Sequence, residues 1–135
     1  MSSRLTLSNR QENLKLLLEF VGKWAQERGL SASRQASLKG VTGEIFRHLV
    51  THAYRPEQPG SITVVLEEKG PRLRLIFEDD AAPHNPLQPD KPTTPQGTSS
   101  AEGTPPLRRV QQMADSLIYY RTPDRKNRLV VFLTL

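Results

Sequence analysis

Apolar residues recur at three- and four-residue steps in two segments of the chain. In the first segment they are Leu14, Leu17, Leu18, Val21, Trp24 and Ala25. In the second they are Leu38, Val41, Ile45 and Leu49. This spacing puts the apolar side chains on one face of an amphipathic helix. The pattern therefore predicts two helices with one core-facing side each, the second running to Tyr54, before Pro56 and Pro59.

Polar residues and glycines next to these segments predict where the helices begin and end. Asn9 is followed by Glu12 in the spacing of a capping box, which predicts that Asn9 caps the first helix. Gly29 is a typical residue for its C-terminal end. Either Ser31 or Ser33 is expected to cap the second helix.

Apolar and polar residues alternate in three shorter segments, which predicts strands, and two apolar runs around a turn at Pro123 and Asp124 predict two more. A short strand covers residues 5–7, a hairpin covers 61–66 and 73–77, and a second hairpin covers 117–120 and 129–133. A short helix is predicted between the hairpins, at residues 107–114. Strands in pairs and helices in blocks predict an α+β fold, a two-layer sandwich with helices on one face of a mainly antiparallel sheet.

Length and composition narrow the classes of protein. The 135 residues suit a single domain over 1–135, and the absence of cysteine excludes disulfides and thiolate metal sites. No apolar run reaches the roughly 20 residues of a membrane helix, and the N-terminus lacks a signal-peptide pattern, so we expect a cytoplasmic protein without a membrane partner. The net charge of +5 is scattered and aromatic residues make up only 6%, so we expect no direct nucleic-acid partner.

The composition changes at residues 81–106. Seven of the chain's eleven prolines lie between Pro83 and Pro106, among Thr, Ser, Gln and Gly. A segment of this length without helix or strand patterns is typical of a lid or of a disordered stretch. We therefore expect a lid-type loop at 81–106.

Glu44, His48 and His52 are spaced four residues apart on the second helix, so they form a polar line beside its apolar stripe. One hypothesis is a solvated edge with locally satisfied histidines, and the other is a ligand site. Two histidines and a carboxylate are a ligand set for zinc or iron. However, Glu44 and His52 would lie about 12 Å apart along the helix axis, too far to share one ion.

Further motifs surround this helix: His-Ala-Tyr at 52–54, Asp-Asp-x-x-Pro-x-Asn-Pro at 79–86 and Met-Ala-Asp-Ser-Leu-x-Tyr-x-Arg at 113–121. With these motifs the chain resembles the Bergerat-fold ATPases, the superfamily of gyrase, histidine kinases and MutL. It is most similar to the bacterial anti-sigma-factor serine/threonine kinases, over almost its whole length. The resemblance implies a histidine kinase-like ATPase fold and ATP or ADP, with Mg²⁺, as cofactors.

The resemblance also implies roles for single residues. Glu44 takes the place of the general base that acts on a serine hydroxyl or positions water. His48 stands where the family has an asparagine that binds Mg²⁺, which makes it the metal position, although imidazole is a poor ligand for this hard cation. Asp79 takes the place of the acceptor for the adenine amino group. Ala81 replaces a glycine, and its methyl group is unwelcome if the backbone there needs a positive φ.

Residues 103–107 align with the glycine-rich run that wraps the phosphates in the family, and Pro105 and Pro106 in this run have no N–H to donate. The nucleotide-binding set implied by the resemblance is His48, His52, Asp79, Ala81, Pro83, Gly103, Thr104 and Leu107. Changes at the metal, base and phosphate positions together indicate a nucleotide site that has changed or decayed.

Two functions follow from the resemblance. The first is an ATP-binding regulatory protein serine/threonine kinase of a bacterial partner switch. It would bind a sigma factor or an equivalent regulator and a small serine-bearing anti-anti-sigma antagonist, with a homodimer as a further option. The alternative is a pseudo-kinase binding module that keeps the fold and the protein partners but not ATP, in which the proline-rich loop contacts a partner.

Overall fold

A computed structural model describes residues 2–87 and 107–134. In chain order, the strands and helices of these residues are β1 (Ser2–Ser8), α1 (Leu14–Glu27), α2 (Ala32–His48), β2 (Ser61–Lys69), β3 (Arg72–Asp79), α3 (Arg108–Met113), β4 (Ser116–Arg121) and β5 (Asn127–Thr134). Most of the predicted lid-type loop, residues 88–106, lies outside the described part of the chain. Within that part, no helix is long and apolar enough to cross a membrane.

The five strands form one antiparallel sheet in the order β1-β2-β3-β5-β4. β3 lies in the centre, paired with β2 on one side and with β5 on the other. The register brings Asp79, the last residue of β3, opposite Asn127, the first residue of β5. The helices pack on one face of this sheet, which confirms the predicted α+β sandwich.

The core lies between this face of the sheet and the helices. Alternate side chains of β2 and β3 point into it, namely Ile62, Val64, Leu66, Leu73, Leu75 and Phe77. They meet the predicted stripe of α2, whose residues Leu38, Val41, Ile45 and Leu49 are buried. Both patterns are confirmed. Side chains return to the same face every 3.6 residues in a helix and every two residues in a strand, so burial of one face produces these two spacings of apolar residues.

Two of the predicted helix ends are confirmed and the predicted start of the first helix is wrong. Ser31 caps α2, because its hydroxyl accepts a 3.2 Å hydrogen bond from the Arg34 N–H. Gly29 follows α1 with a φ of +70°, as expected. Asn9, however, does not cap α1, which begins at Leu14 after a 3₁₀ turn over Gln11–Asn13.

Instead, the Asn9 side chain joins the end of β1 to the loop before β2. Its Nδ2 donates to the Gln58 carbonyl at 2.8 Å, and its Oδ1 accepts from the Gly60 N–H at 2.9 Å. The amide thus satisfies two backbone groups that are distant in sequence. The capping-box spacing with Glu12 is coincidental, since no side chain caps the turn that contains Glu12.

The predicted helix at residues 38–54 has two parts. α2 ends at His48, and the chain continues as one π-helical turn over Leu49–Ala53 before Tyr54 becomes extended. Turns of this kind are frequent at functional sites. Here the turn carries His52 and brings the buried Tyr54 ring against Gly60.

Candidate functional site

Asp79 ends β3 on the face of the sheet that carries the helices, since it alternates with the buried Leu75 and Phe77. Only 3% of the residue is exposed. Its Oδ1 accepts hydrogen bonds from the Asn127 Nδ2 at 2.8 Å and from the Ala81 N–H at 3.0 Å. Among the described residues, none donates to Oδ2. The side chain is therefore a fixed acceptor with one oxygen left for a ligand.

Burial raises the pKa of the Asp79 carboxyl, and the hydrogen bonds from Asn127 and Ala81 oppose that increase without cancelling it. The charge interaction with His84 acts in the same direction as these hydrogen bonds, but burial remains the larger effect. Such a group in a core-facing position is typical of a site selected for binding rather than for folding.

Asn127 holds this part of the site together, and it was not among the predicted site residues. Besides Asp79, its Nδ2 reaches the Ala81 carbonyl at 3.2 Å and the Ala82 carbonyl at 2.9 Å. Its Oδ1 accepts from the Tyr119 hydroxyl at 2.6 Å and from the His84 N–H at 3.2 Å. A signal was present in the sequence, because Asn127 lies on the same face of β5 as the apolar residues at 129 and 131.

Ala81 fits its position without backbone strain. In the described part of the chain, positive φ outside glycine occurs at Glu57, Leu107 and Arg125, so Ala81 has an ordinary φ. Its methyl group is buried in the core, and its carbonyl accepts from Asn127 and from the Arg121 guanidinium at 2.9 Å. The conflict that we considered between the Ala81 methyl group and a positive φ is therefore absent.

The neighbouring Asp80 points elsewhere and has a structural role. Its Oδ1 lies 2.7 Å from the Tyr54 hydroxyl and accepts from the Ser61 N–H at 3.0 Å. Burial raises the Tyr54 pKa above its ordinary value, and the hydrogen bond to Asp80 raises it further. For Asp80, partial burial acts to raise the pKa, but the Ser61 N–H and the Tyr54 hydroxyl outweigh it and lower the pKa. This contact ties the end of the π-helical turn to β3.

Glu44, the predicted general base, contacts the first turn of α3. Its Oε1 accepts from the Val110 N–H at 2.9 Å, and its Oε2 accepts from the Arg109 N–H at 3.3 Å. Unpaired N–H groups at the start of a helix favour a carboxylate in this position. In this arrangement the carboxylate caps α3, so a substrate hydroxyl would have to compete with two backbone donors for it.

The three histidines of the chain lie in one row, which we call the imidazole row: His52, His48 and His84. The ring centroids of His48 and His52 are 4.7 Å apart, and those of His48 and His84 are 5.7 Å apart with nearly parallel planes. His52 is exposed, and the other two are half-buried. The row runs from α2 to the loop after β3.

The imidazole row connects the two acidic residues of the candidate site. His48 lies one helical turn after Glu44, and His84 is bonded through Asn127 to Asp79. Glu44 and Asp79 therefore lie on the same side of the sheet. The Nε2 atom of His84 is buried and has no hydrogen-bond partner among the described residues. This buried nitrogen keeps its hydrogen-bonding capacity for a water molecule or a ligand.

The other predicted site residues differ in their surroundings. Pro83 is exposed in the loop that follows Ala81. The Leu107 side chain is buried in the core, and its φ of +54° turns the chain into α3, so the side chain does not face a ligand. Gly103 and Thr104 lie outside the described residues.

The donor groups do not fit Mg²⁺, the ion implied by the family. Mg²⁺ requires hard oxygen ligands in octahedral geometry. At this site His48 offers an imidazole, and both Glu44 oxygens accept hydrogen bonds from α3. No group of three or more His, Asp or Glu side chains within residues 2–87 and 107–134 is arranged to hold a metal ion. The same finding argues against a zinc or iron site at Glu44, His48 and His52.

A comparison with protein families now identifies this arrangement. The family model for the histidine kinase-like ATPase domain matches residues 7–133. The chain belongs to this family. The match begins at the end of β1 and includes the three helices, both hairpins and the loop between them, so all of the site lies within the histidine kinase-like ATPase domain. No curated protein matches the chain.

Proposed function

We propose that this histidine kinase-like ATPase domain is a nucleotide-binding regulator of the anti-sigma-factor kinase type, acting in a bacterial partner switch. It binds ATP or ADP. Its protein partners are a sigma factor or an equivalent regulator and a small antagonist that carries a serine. The observation that supports this proposal best is the buried Asp79, which is oriented by Asn127 and Ala81 and keeps one carboxylate oxygen for a ligand.

The chemistry of Asp79 favours adenine among the purines. The adenine amino group is a donor that can meet Oδ2, whereas guanine has a carbonyl acceptor at the equivalent ring position. An acceptor facing the buried carboxylate would leave both groups without a donor, which is costly in a buried site.

Phosphoryl transfer would involve Glu44, which also caps α3. In the reaction, the serine Oγ of the antagonist would form a bond to the γ-phosphorus of ATP, the bond to the bridging oxygen would break, and ADP would leave. The serine proton would pass to a carboxylate within hydrogen-bond reach, and Glu44 is the candidate. Each Glu44 oxygen already accepts one hydrogen bond, from Arg109 or from Val110, so the serine hydroxyl would share the carboxylate with these donors unless α3 moves.

The contact between Glu44 and α3 also supports the second candidate function, a pseudo-kinase module that binds proteins but not ATP. If α3 never releases Glu44, the domain keeps its fold and surfaces without transfer chemistry. The two candidates differ in nucleotide binding, which can be measured directly.

The deciding experiment is calorimetric titration of the full chain with ADP and with ATP, in buffers with Mg²⁺ and with EDTA. We expect saturable binding by the wild-type protein and a loss of at least about tenfold in affinity for Asp79→Asn, which removes the charged acceptor. Asp80→Asn is the matched control, since Asp80 contacts Tyr54 and Ser61 instead. Absence of binding at millimolar nucleotide in both buffers would leave the pseudo-kinase module.

Transfer chemistry is tested separately, with γ-labelled ATP and a small serine-bearing protein encoded next to this chain. Label on the serine that is lost in Glu44→Ala supports the kinase. Nucleotide binding without label transfer supports a regulator that senses ATP or ADP but does not phosphorylate its antagonist.

A further inference from the structure

We propose that nucleotide binding at this site is independent of Mg²⁺ and that N–H groups of the imidazole row contact the phosphates directly. This inference rests on the proposed nucleotide binding and concerns how the same site handles the negative charge of its ligand. It starts from His48, whose imidazole stands at the metal position that the resemblance implies and is a poor ligand for Mg²⁺.

The replacement of an amide by an imidazole at position 48 changes the direction of hydrogen bonding. An amide oxygen is an acceptor, so it can approach a phosphate oxygen only when a cation lies between them. An imidazole carries an N–H donor in either tautomer, so it can bind a phosphate oxygen with no ion in between. The imidazole at position 48 therefore has two effects. It takes away an oxygen ligand of Mg²⁺, and it provides an N–H donor for a phosphate oxygen.

The position of the row supports this role. His48 is flanked by the other two histidines of the chain, at 4.7 and 5.7 Å between ring centroids. Three imidazoles from α2, the π-helical turn and the loop after β3 thus meet in one place, beside the network that orients Asp79. The chain has no other histidine, so this arrangement uses every imidazole that it contains.

The unsatisfied Nε2 of His84 is the second, independent observation. It is buried at the end of the row that is nearest to Asp79, and no described residue satisfies it. His84 is held in place by its own N–H, which donates to Asn127 at 3.2 Å, and by stacking against His48. A fixed nitrogen with an unused hydrogen-bonding capacity is what a phosphate-binding donor requires.

The test is titration of the full chain with ADP at equal ionic strength, with Mg²⁺ or with EDTA. We expect wild-type dissociation constants that agree within about twofold between the two buffers. His48→Asn introduces the amide, and it should bind ADP at least about tenfold more tightly with Mg²⁺ than with EDTA. Arg47→Asn is the matched control: it places an amide on the adjacent exposed position of α2 and should show no response to Mg²⁺.

A third variant tests the donor itself. His84→Phe keeps an aromatic ring but has no N–H, so it should weaken ADP at least about fivefold in both buffers while affinity for adenosine stays unchanged. Thermal unfolding of the same samples verifies that the variant is folded. Equal losses for ADP and adenosine would overturn the contact with phosphate.

Each result has a separate meaning. Wild-type binding of ADP that is tenfold tighter with Mg²⁺ would overturn this inference and leave the proposed function intact. A His48→Asn variant that ignores Mg²⁺ would overturn the assignment of the metal response to position 48. No binding of ADP in either buffer would instead remove the proposed nucleotide function itself.

Discussion

The carboxylate of Glu44 in α2 accepts a 2.9 Å hydrogen bond from the backbone N–H of Val110 in the first turn of α3. The second oxygen accepts from the Arg109 N–H, and the Arg109 side chain lies against Gly40, one turn earlier in α2. The residue proposed as the base is thus also the cap of a neighbouring short helix. Any change that frees Glu44 for chemistry must leave two N–H groups of α3 for another acceptor, such as a phosphate.

Glu44→Ala should loosen α3. The variant removes the acceptor for two N–H groups, and loss of a helix cap costs about 1 kcal/mol in the free energy of unfolding. Urea denaturation measures this loss, and hydrogen exchange at the amides of residues 109 and 110 should become faster. Glu44→Gln keeps an acceptor oxygen without the charge and should lose less. Unchanged exchange at both amides in Glu44→Ala would contradict the capping role.

Asn127→Ala should be among the more damaging single substitutions. It removes one hydrogen bond each from the Asp79 carboxylate, the two backbone carbonyls and the Tyr119 hydroxyl, in a largely buried place. Several unsatisfied buried groups together cost about 3 kcal/mol. Tyr119→Phe is the control, because it removes a single bond of Asn127 and should cost about 1 kcal/mol. Equal losses for the two variants would show that Asn127 does not act as a hub.

The fold was predictable because it follows from burial patterns that the sequence displays. Period-two alternation predicted the first hairpin, two apolar runs around the turn at residues 123–124 predicted the second, and the stripe of α2 predicted the face that meets the sheet. The end of α1 was also predictable, since Gly29 takes a positive φ that few other residues accept. Asn9 was misread because its partners, Gln58 and Gly60, are distant in sequence and become neighbours only when β1 pairs with β2.

The candidate site was predictable only in part. Asp79 and Glu44 were found through their motifs, and Asn127 was missed although a polar residue on the buried face of a strand was a visible signal. The contact of Glu44 with α3 joins residues 65 and 66 positions apart. No local sequence pattern predicts this contact, because it forms only when the sheet and the loop between Glu44 and α3 bring α3 next to α2.

Asp79→Asn should be neutral or stabilising at pH 7 even though it weakens nucleotide binding. Burial raises the Asp79 pKa, so the folded state binds the carboxyl proton more tightly than the unfolded state does. Above the raised pKa, the ionised carboxylate therefore lowers the stability of the fold. The penalty fades as the pH falls towards the ordinary value of 3.8. In urea denaturation at a series of pH values, the advantage of Asp79→Asn over wild type should therefore be largest at pH 7 and shrink with acidification. A growing advantage at low pH would contradict the raised pKa.

Asp80→Asn should show the opposite dependence on pH. The Asp80 pKa is lowered by the Ser61 N–H and the Tyr54 hydroxyl against the effect of burial, so its ionised form stabilises the fold above the ordinary value of 3.8. That contribution is lost as the pH falls through the lowered pKa. The variant should be less stable than wild type at pH 7 and equal to it in acid. Measured side by side, two adjacent aspartates would change stability with opposite signs.

Gly60→Ala should destabilise the protein through Tyr54. Gly60 does not need a positive φ, so an alanine backbone is allowed there, but its Cβ would overlap the Tyr54 ring. The ring is only 6% exposed and its hydroxyl is bonded to Asp80, so it cannot move aside cheaply. Overpacking of this kind costs about 1–3 kcal/mol.

A double-mutant cycle separates this overlap from any other effect of the added methyl group. In a Tyr54→Ala background the space occupied by the ring is open, so Gly60→Ala should then cost close to nothing in urea denaturation. The difference between the two backgrounds measures the coupling of residues 54 and 60. An equal cost of Gly60→Ala in both backgrounds would show that the tyrosine ring is not what makes a glycine necessary before β2.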